Sequence, residues 1–290
     1  MTLAQFNLRI AEICDDRTRG ASELARRGLE LLAEAARTLP AADVLELRDC
    51  LLTLATTLST ARPSMASVQN LPRRWGEGLA FPPGLDLPSA RRLAVDRAQA
   101  LIAASRHAVT DCAAHAAELV GPGRTLMTHS LSSTVLEVCR LLKDTGLRMI
   151  ATESRPLEEG RLLAQRLSAW NVPTLYITDA QMGLFVGRAD AVLVGADSML
   201  ADGSVVNKAG TGLLALAARD QGVPFYVCCE SFKWRQANEP PPELEEMTPA
   251  ELDVPAWPGV TVRNVYFDIT PARLVSAWID ETGVRRPAAD

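Results

Sequence analysis

Near residue 120 the hydrophobic period of the chain changes, and the change divides the 290 residues into two kinds of structure. Before it, apolar residues recur at helical spacing. Residues 21–36 set Leu24, Leu29, Leu31, Leu32 and Ala35 on one broad stripe. Residues 42–58 repeat the pattern with Leu45, Leu51, Leu52, Ala55 and Leu58. A Gly/Pro-rich break, WGEGLAFPPGLDLP at 75–88, cannot be helix interior. A long helical stretch follows at 89–119 and ends at Gly121-Pro122-Gly123.

From Arg124 onward, short apolar or β-branched runs alternate with helical segments. The runs at 125–128, 148–152, 174–178, 191–195, 225–228 and 265–268 predict strands. Those at 134–142, 157–170, 180–186, 208–221 and 271–281 predict helices. Alternation of this kind indicates a parallel sheet with crossover helices. The expectation is an α/β chain: a helical N-terminal domain, residues 1–120, and a Rossmann-like parallel-sheet C-terminal domain, residues 121–290. Thr134 with Glu137 reads as a capping box, and Thr270-Pro271 as a cap before a first-turn proline. The acidic, proline-rich stretch at 239–255 reads as a surface excursion.

Composition narrows the function classes. The net charge of −5 argues against direct nucleic-acid binding, which favours a basic face. No run approaches the roughly 20 apolar residues of a membrane span. The first 14 residues lack the marks of a secretory signal, so a cytoplasmic location is expected. The six cysteines include no CxxC pair, and His107, His115 and His129 have no ligand spacing with them; no metal site is expected. Arginines number 27 against three lysines, Lys143, Lys208 and Lys233, so a retained lysine is a candidate for a specific role.

In open α/β sheets ligands lie beyond the carboxyl ends of the strands. The residues there include Thr128-His129-Ser130, Glu153-Ser154-Arg155, Gly195-Ala196-Asp197 and Asp268. GxGxxG, GxxxxGK[ST] and GxSxG are all missing from this edge, which excludes the usual dinucleotide, P-loop and α/β-hydrolase signatures. The strongest segment is GADSMLADGSVVNKAGTG, residues 195–212. It is expected to deliver Asp197 at a strand end and to place Asn207 and Lys208 at the start of a helix. There, glycines and free N–H groups would receive a phosphate. Ser132, Ser133 and Thr134 offer a second strand-to-helix site, for which ordinary helix capping is the plainer reading. Arg19-Gly20-Ala21-Ser22 and Arg62 add two guanidiniums and a helix start to the same anionic guest. Solvated helix ends are the alternative there, and Lys233 is similarly open. His129 is not expected to pair with Ser130, since adjacent residues on extended backbone face opposite ways.

These pieces together resemble one superfamily. It joins the alpha, beta and delta subunits of eukaryotic translation initiation factor 2B with the isomerases of methylthioribose 1-phosphate and ribose 1,5-bisphosphate. The matching motifs are RGAS (19–22), ARPSMASVQNL (61–71), THSLSSTVLEV (128–138), ESRPLEEGRLLA (153–164), GADSMLADGSVVNKAGT (195–211), VPFYVCCESFKW (223–234) and FDITP (267–271). They occur in the family's order and span nearly the whole chain. VNKAGT after GAD and ESFKW are the most specific, and the chain looks closer to the ribose 1,5-bisphosphate isomerases and the factor 2B alpha subunit than to the methylthioribose enzymes.

The resemblance implies a homodimer or larger ring, no metal or other cofactor, and a phosphorylated sugar or nucleotide as ligand. In the isomerases a cysteine after the first strand removes a proton and the aspartate of GAD acts as acid. Asp197 matches the acid, and Ser130 stands where the cysteine is expected. Arg19 to Ser22, Arg62, Ser132 to Thr134, Asn207, Lys208 and Lys233 match positions that hold substrate phosphates and hydroxyls. A serine is a far weaker acid than a thiol and needs a neighbouring base, and the sequence shows none; Cys228 or Cys229, at a strand end on the same sheet edge, is a substitute in principle. The resemblance therefore leaves two functions: an isomerase with an altered base, or a non-catalytic subunit that senses a sugar phosphate or nucleotide.

Overall fold

A computed structural model of the chain describes residues 1–287. The final three residues of the expected C-terminal domain lie outside that range. The chain forms two compact units, Met1–His107 and Ala108–Asp290.

The first unit is helical: α1 (Leu3–Asp15), α2 (Ala21–Thr38), α3 (Val44–Ser59), α4 (Ala66–Glu77) and the first part of α5 (Leu87–Val120). The break expected from Trp75 therefore begins later, because Trp75 to Glu77 complete α4 and Gly78 closes it. Leu24, Leu29 and Leu32 of α2, Leu47, Leu51, Leu54 and Leu58 of α3, and Leu71 and Trp75 of α4 are fully buried. Each such side chain contributes about 1.5–3 kcal/mol by leaving water. Arginines close the helix ends. Arg91 donates to the carbonyls of Ala36, in the last turn of α2, and Leu39, just beyond it, both at 2.7 Å. Arg97 donates to Trp75 and Arg74 at the end of α4, at 3.0 and 2.7 Å. A guanidinium suits these orphan carbonyls through its several donors and its charge at the negative end of the helix.

The second unit contains β1 (Thr125–Thr128), α6 (Ser133–Leu142), β2 (Arg148–Thr152), α7 (Gly160–Ala169), β3 (Thr174–Ile177), the single turn α8 (Met182–Phe185), β4 (Ala191–Val194), β5 (Ser198–Met199), β6 (Val205–Lys208), α9 (Thr211–Asp220), β7 (Phe225–Cys228), β8 (Phe267–Thr270), β9 (Ala277–Asp280) and β10 (Gly283–Arg285). The main sheet runs β10-β9-β7-β4-β1-β2-β3 and is parallel except for β10, which returns antiparallel to β9. Strand side chains alternate between two cores. Leu126 and Leu193 pack with α6, α7 and the end of α5, while Met127, Val192 and Val194 pack with α8 and α9. β5, β6 and β8 form a separate antiparallel sheet, in which Asn207 pairs with Asp268 and Lys208 with Phe267.

Five sequence expectations are corrected. Asn207 and Lys208 end strand β6 rather than open a helix; the chain turns at Gly210, φ 108°, and α9 begins at Thr211. The β-branched Val205 and Val206, paired with β8, outweigh the helical pattern read from 208 onward. The strand expected at 265–268 lies at Phe267–Thr270 and belongs to the small antiparallel sheet. The helix expected at 271–281 is a 3-10 turn, Ala272–Leu274, followed by β9, which pairs with β7. The helix expected at 180–186 is one α-turn flanked by two 3-10 turns. The α6 cap also moves: Ser132, not Thr134, accepts from the Val135 N–H, at 3.4 Å.

Candidate functional site

Strands β1, β2 and β3 run outward in one direction and β4, β7 and β9 in the other, so the order reverses between β1 and β4. Ligands of open α/β sheets sit at such a reversal, beyond the carboxyl ends. The chain leaving β1 supplies His129 and Ser130, and the chain leaving β4 supplies Gly195, Ala196 and Asp197.

After β1 the backbone turns at once. Ser130 has φ 70°, and Ser154, just beyond β2, has φ 61°. Non-glycine residues in this region store about 1–3 kcal/mol each and persist where the surroundings hold them. The Ser130 N–H donates to Ser154 Oγ at 2.8 Å, and the Ser154 N–H donates to Asp179 Oδ1 at 2.9 Å. The Ser130 hydroxyl donates to Glu159 Oε2 at 2.7 Å. Glu159 precedes α7, whose first residue, Gly160, sits so close to β2 that a Cβ would stand 1.8 Å from the Thr152 carbonyl oxygen. That approach seats Glu159 against Ser130. The sequence expectation that Ser130 lacks a neighbouring base is thereby overturned. The partner is a carboxylate 29 residues away, which no local pattern announces.

The other oxygen of Glu159 lies 2.8 Å from Lys208 Nζ. Lys208 is 4% exposed, with its ammonium 4.3 Å from the centre of the Tyr266 ring. Ser130 and Lys208 are thus brought together through Glu159. His129 points elsewhere, away from the left-handed turn at Ser130. It is 1% exposed, with Nε2 donating to the Ala209 carbonyl at 2.9 Å and Nδ1 2.7 Å from Thr152 Oγ1. A carbonyl only accepts, so the proton sits on Nε2 and Nδ1 accepts from the Thr152 hydroxyl. Burial pulls the imidazole pKa down, against the pull of Asp179, Asp268 and Glu159.

Asp197 is half-buried, and its N–H donates to the Val206 carbonyl at 2.9 Å. Its charge acts on Lys233. Burial pulls that ammonium down, but Glu230, 3.3 Å away, and Asp197 outweigh it and raise its pKa. Ser132 packs so closely on the β4 end that a Cβ on Gly195 would stand 2.5 Å from its hydroxyl oxygen. Ser133 is exposed, and the fully buried Thr134 Oγ1 has no hydrogen-bond partner.

The phosphate site expected at the start of the 208–221 helix is corrected. Asp268 Oδ2 accepts from the N–H groups of Gly210 at 2.8 Å and Gly212 at 3.0 Å, so the protein's own carboxylate caps α9. Asn207 turns to Thr211 Oγ1, at 3.0 Å. The two cysteines offered as substitute bases are enclosed as well. Cys228 Sγ lies 3.3 Å from Cys112 Sγ, and burial pushes the Cys229 thiol well up.

In the helical unit, Arg19 and Arg62 gather on Asp16. Arg19 pairs with the carboxylates of Asp16 and Glu23, and Arg62, 3% exposed, donates to the Asp16 carbonyl at 2.9 Å. Gly20 caps α2 without a side-chain hydrogen bond. Ala21 and Ser22 form its first turn, and the buried Ser22 Oγ has no hydrogen-bond partner. Sequence reasoning found these groups but missed their acidic neighbours, Asp16 and Glu23. It likewise missed Glu159 and the capping role of Asp268, although both lie in motifs it had singled out.

Comparison with known proteins agrees with this architecture. The profile of the Initiation factor 2 subunit family (IF-2B) matches residues 17–287. A putative translation initiation factor eIF-2B subunit 2-like protein of Pyrococcus abyssi is 38% identical, over 96% of this chain and 95% of its own length. A ribose 1,5-bisphosphate isomerase of Methanocaldococcus jannaschii is 30% identical, over 93% of this chain and 87% of its own. The crystal structure of a Pyrococcus horikoshii translation initiation factor eIF-2B superposes with a TM-score of 0.83 at 36% identity, covering 97% of each chain.

Proposed function

The chain belongs to the initiation factor 2 subunit family, and from that membership we propose that it binds a phosphorylated pentose and isomerises an aldose 1-phosphate to the ketose 1-phosphate. The observation that carries this reading is the placement of Ser130 and Asp197 on the two strand ends that flank the reversal of strand order. A group that gives a proton to the ring oxygen and a group that takes one from C2 must stand on two sides of one sugar, and these two ends supply them.

With the anionic sugar phosphate bound beside it, Asp197 takes up a proton, gives it to the ring oxygen and opens the ring. Lys208, Lys233, Asn207, Ser132, Ser133 and Thr134 serve the sugar's hydroxyls and phosphate from the α/β unit. Ser132 to Thr134 offer the N-terminal amides of α6, which among the described residues are not held by a carboxylate as those of α9 are by Asp268. On the helical unit by itself, Arg19 to Ser22 and Arg62 suit a phosphate, which would displace or share the carboxylates now on Arg19. The protein acts as a homodimer or larger homo-oligomer in the cytoplasm.

A second reading is supported by the 38% identity to an initiation-factor-like relative: a non-catalytic subunit that senses the sugar phosphate or a nucleotide with the same groups. NMR with ribose 1,5-bisphosphate and with 5-methylthioribose 1-phosphate separates the two. Ketose formation that Asp197→Asn abolishes supports the enzyme. Thermal stabilisation without turnover supports the sensor; a ligand at 100 times its Kd adds about 2.7 kcal/mol. Equal melting temperatures with and without either compound, in the wild type and in Lys208→Ala alike, defeat both readings.

A further inference from the structure

Among the described residues near the reversal of strand order, the groups able to receive a proton from a bound sugar reduce to a short set. Both nitrogens of His129 are engaged and its ring is buried. Cys228 and Cys229 are buried. Asp268 is committed to the amides of α9. Asp179 accepts from the N–H groups of Ser154 and Arg155, at 2.9 and 2.8 Å, and Glu230 pairs with Lys233 at 3.3 Å, which leaves Ser130 and Glu159. They are joined by a 2.7 Å hydrogen bond in which the hydroxyl is the donor, because the carboxylate that pairs with Lys208 only accepts.

We propose that Glu159 is the terminal proton acceptor of the isomerisation and takes the C2 proton through the Ser130 hydroxyl. This rests on the reading of the preceding subsection. With its own proton committed to Glu159 Oε2, Ser130 presents only lone pairs to a ligand, which is the orientation a relay needs. The hydroxyl alone is too weak an acid to supply an alkoxide, but a concerted shift never forms one. Its net base is a carboxylate, the group that removes the corresponding proton in triosephosphate isomerase. Two fixed features hold the pair. Gly160 lets α7 approach β2, and Lys208 anchors the oxygen of Glu159 that does not face the serine. The left-handed turn at Ser130 aims the hydroxyl at Glu159 while Ser154 holds its N–H.

The steps balance. Asp197 gives its proton to the ring oxygen, the bond from that oxygen to C1 breaks, and C1 is left as a phosphorylated oxocarbenium. The C2–H bond then breaks and its electron pair forms the C1–C2 double bond of an enol phosphate. The proton goes to Ser130 Oγ while the proton of Ser130 passes to Glu159 Oε2. In the return, Asp197 recovers a proton from the C2 hydroxyl as the carbonyl forms. Ser130 protonates C1 and is refilled from Glu159. Both carboxyl groups end as they began.

The test uses the full chain with ribose 1,5-bisphosphate in D2O. It follows solvent exchange at C2 and ketose formation by NMR, and ligand binding by the shift in Tm. In Glu159→Gln, kcat is expected to fall by about 10²–10⁴-fold with KM and the ligand-induced Tm shift retained. Ser130→Ala breaks the relay but leaves the Glu159–Lys208 pair. It is expected to lose kcat to a similar extent, and it carries the test if the Gln variant does not fold. Ser130→Cys, whose thiol takes the proton itself, is expected to restore turnover in the Glu159→Gln background. Wild-type rates in Glu159→Gln overturn the relay while the isomerase reading stands. A wild-type protein that ribose 1,5-bisphosphate stabilises without ketose formation also overturns the relay, leaving sugar-phosphate binding in place. A wild-type protein that the compound does not stabilise refutes the binding reading itself, and the relay with it.

Discussion

At His129 burial outweighs three facing carboxylates, Asp179, Asp268 and Glu159, and keeps the folded-state pKa below 6.5. As pH falls through that value the unfolded chain takes up a proton before the folded one does. The stability due to the neutral ring is therefore complete above about 6.5 and is lost as the pH drops below it, by at most about 1.4 kcal/mol per pH unit. Denaturant titrations between pH 7.5 and 5 are expected to show a shallower loss in His129→Gln than in the wild type. A variant with an identical slope would remove His129 from the account. Ser130 and Asp197 were legible in the sequence because each follows an apolar strand run, and strand ends are where chemistry collects. Glu159 was not legible. Its role depends on how closely α7 approaches β2, a distance set by the packing of Gly160 on Thr152, and a run of letters reading Glu-Glu-Gly carries no such distance.

Among the elements, α9 has the cap most exposed to test. Asp268 reaches it from β8 and satisfies two of its first N–H groups, while burial pushes the carboxyl pKa up against those same bonds. Asp268→Ala is expected to cost about 0.5–2 kcal/mol, read as a lower denaturation midpoint. If anion binding at α9 were merely masked by Asp268, the variant would also bind inorganic phosphate more tightly than the wild type. Strands β1, β2, β4 and β7 were read correctly because burial on both faces makes them short, continuous apolar runs, and β3 at the sheet edge was read from its apolar run alone. β6 was hidden because its end carries Asn207 and Lys208, polar side chains whose burial depends on Thr211, Glu159 and the Tyr266 ring. β9 was hidden by Pro271, which suits the first turn of a helix equally well. The pairing of Ala277, Trp278 and Ile279 with β7 decides for strand.

At the scale of the whole molecule, the period change near residue 120 gave the order of structure types, while the strand order and the detached small sheet came only from pairing over long separations. That small sheet makes tolerance of chain length uneven. β6 and β8 meet in a register that places Lys208 beside Phe267 and Asn207 beside Asp268, and side chains alternate along a strand with period two. One alanine inserted between Ser204 and Val205 would turn the Lys208 ammonium away from Glu159 or force β6 to slide along β8. The same insertion between Gly259 and Val260, on an exposed stretch without strand pairing, leaves both partners where they are. Urea midpoints are expected to drop for the first insertion and to hold for the second. In homologous chains, residues gained or lost should then collect in the excursion before β8 and be rare in the tight turn between β5 and β6.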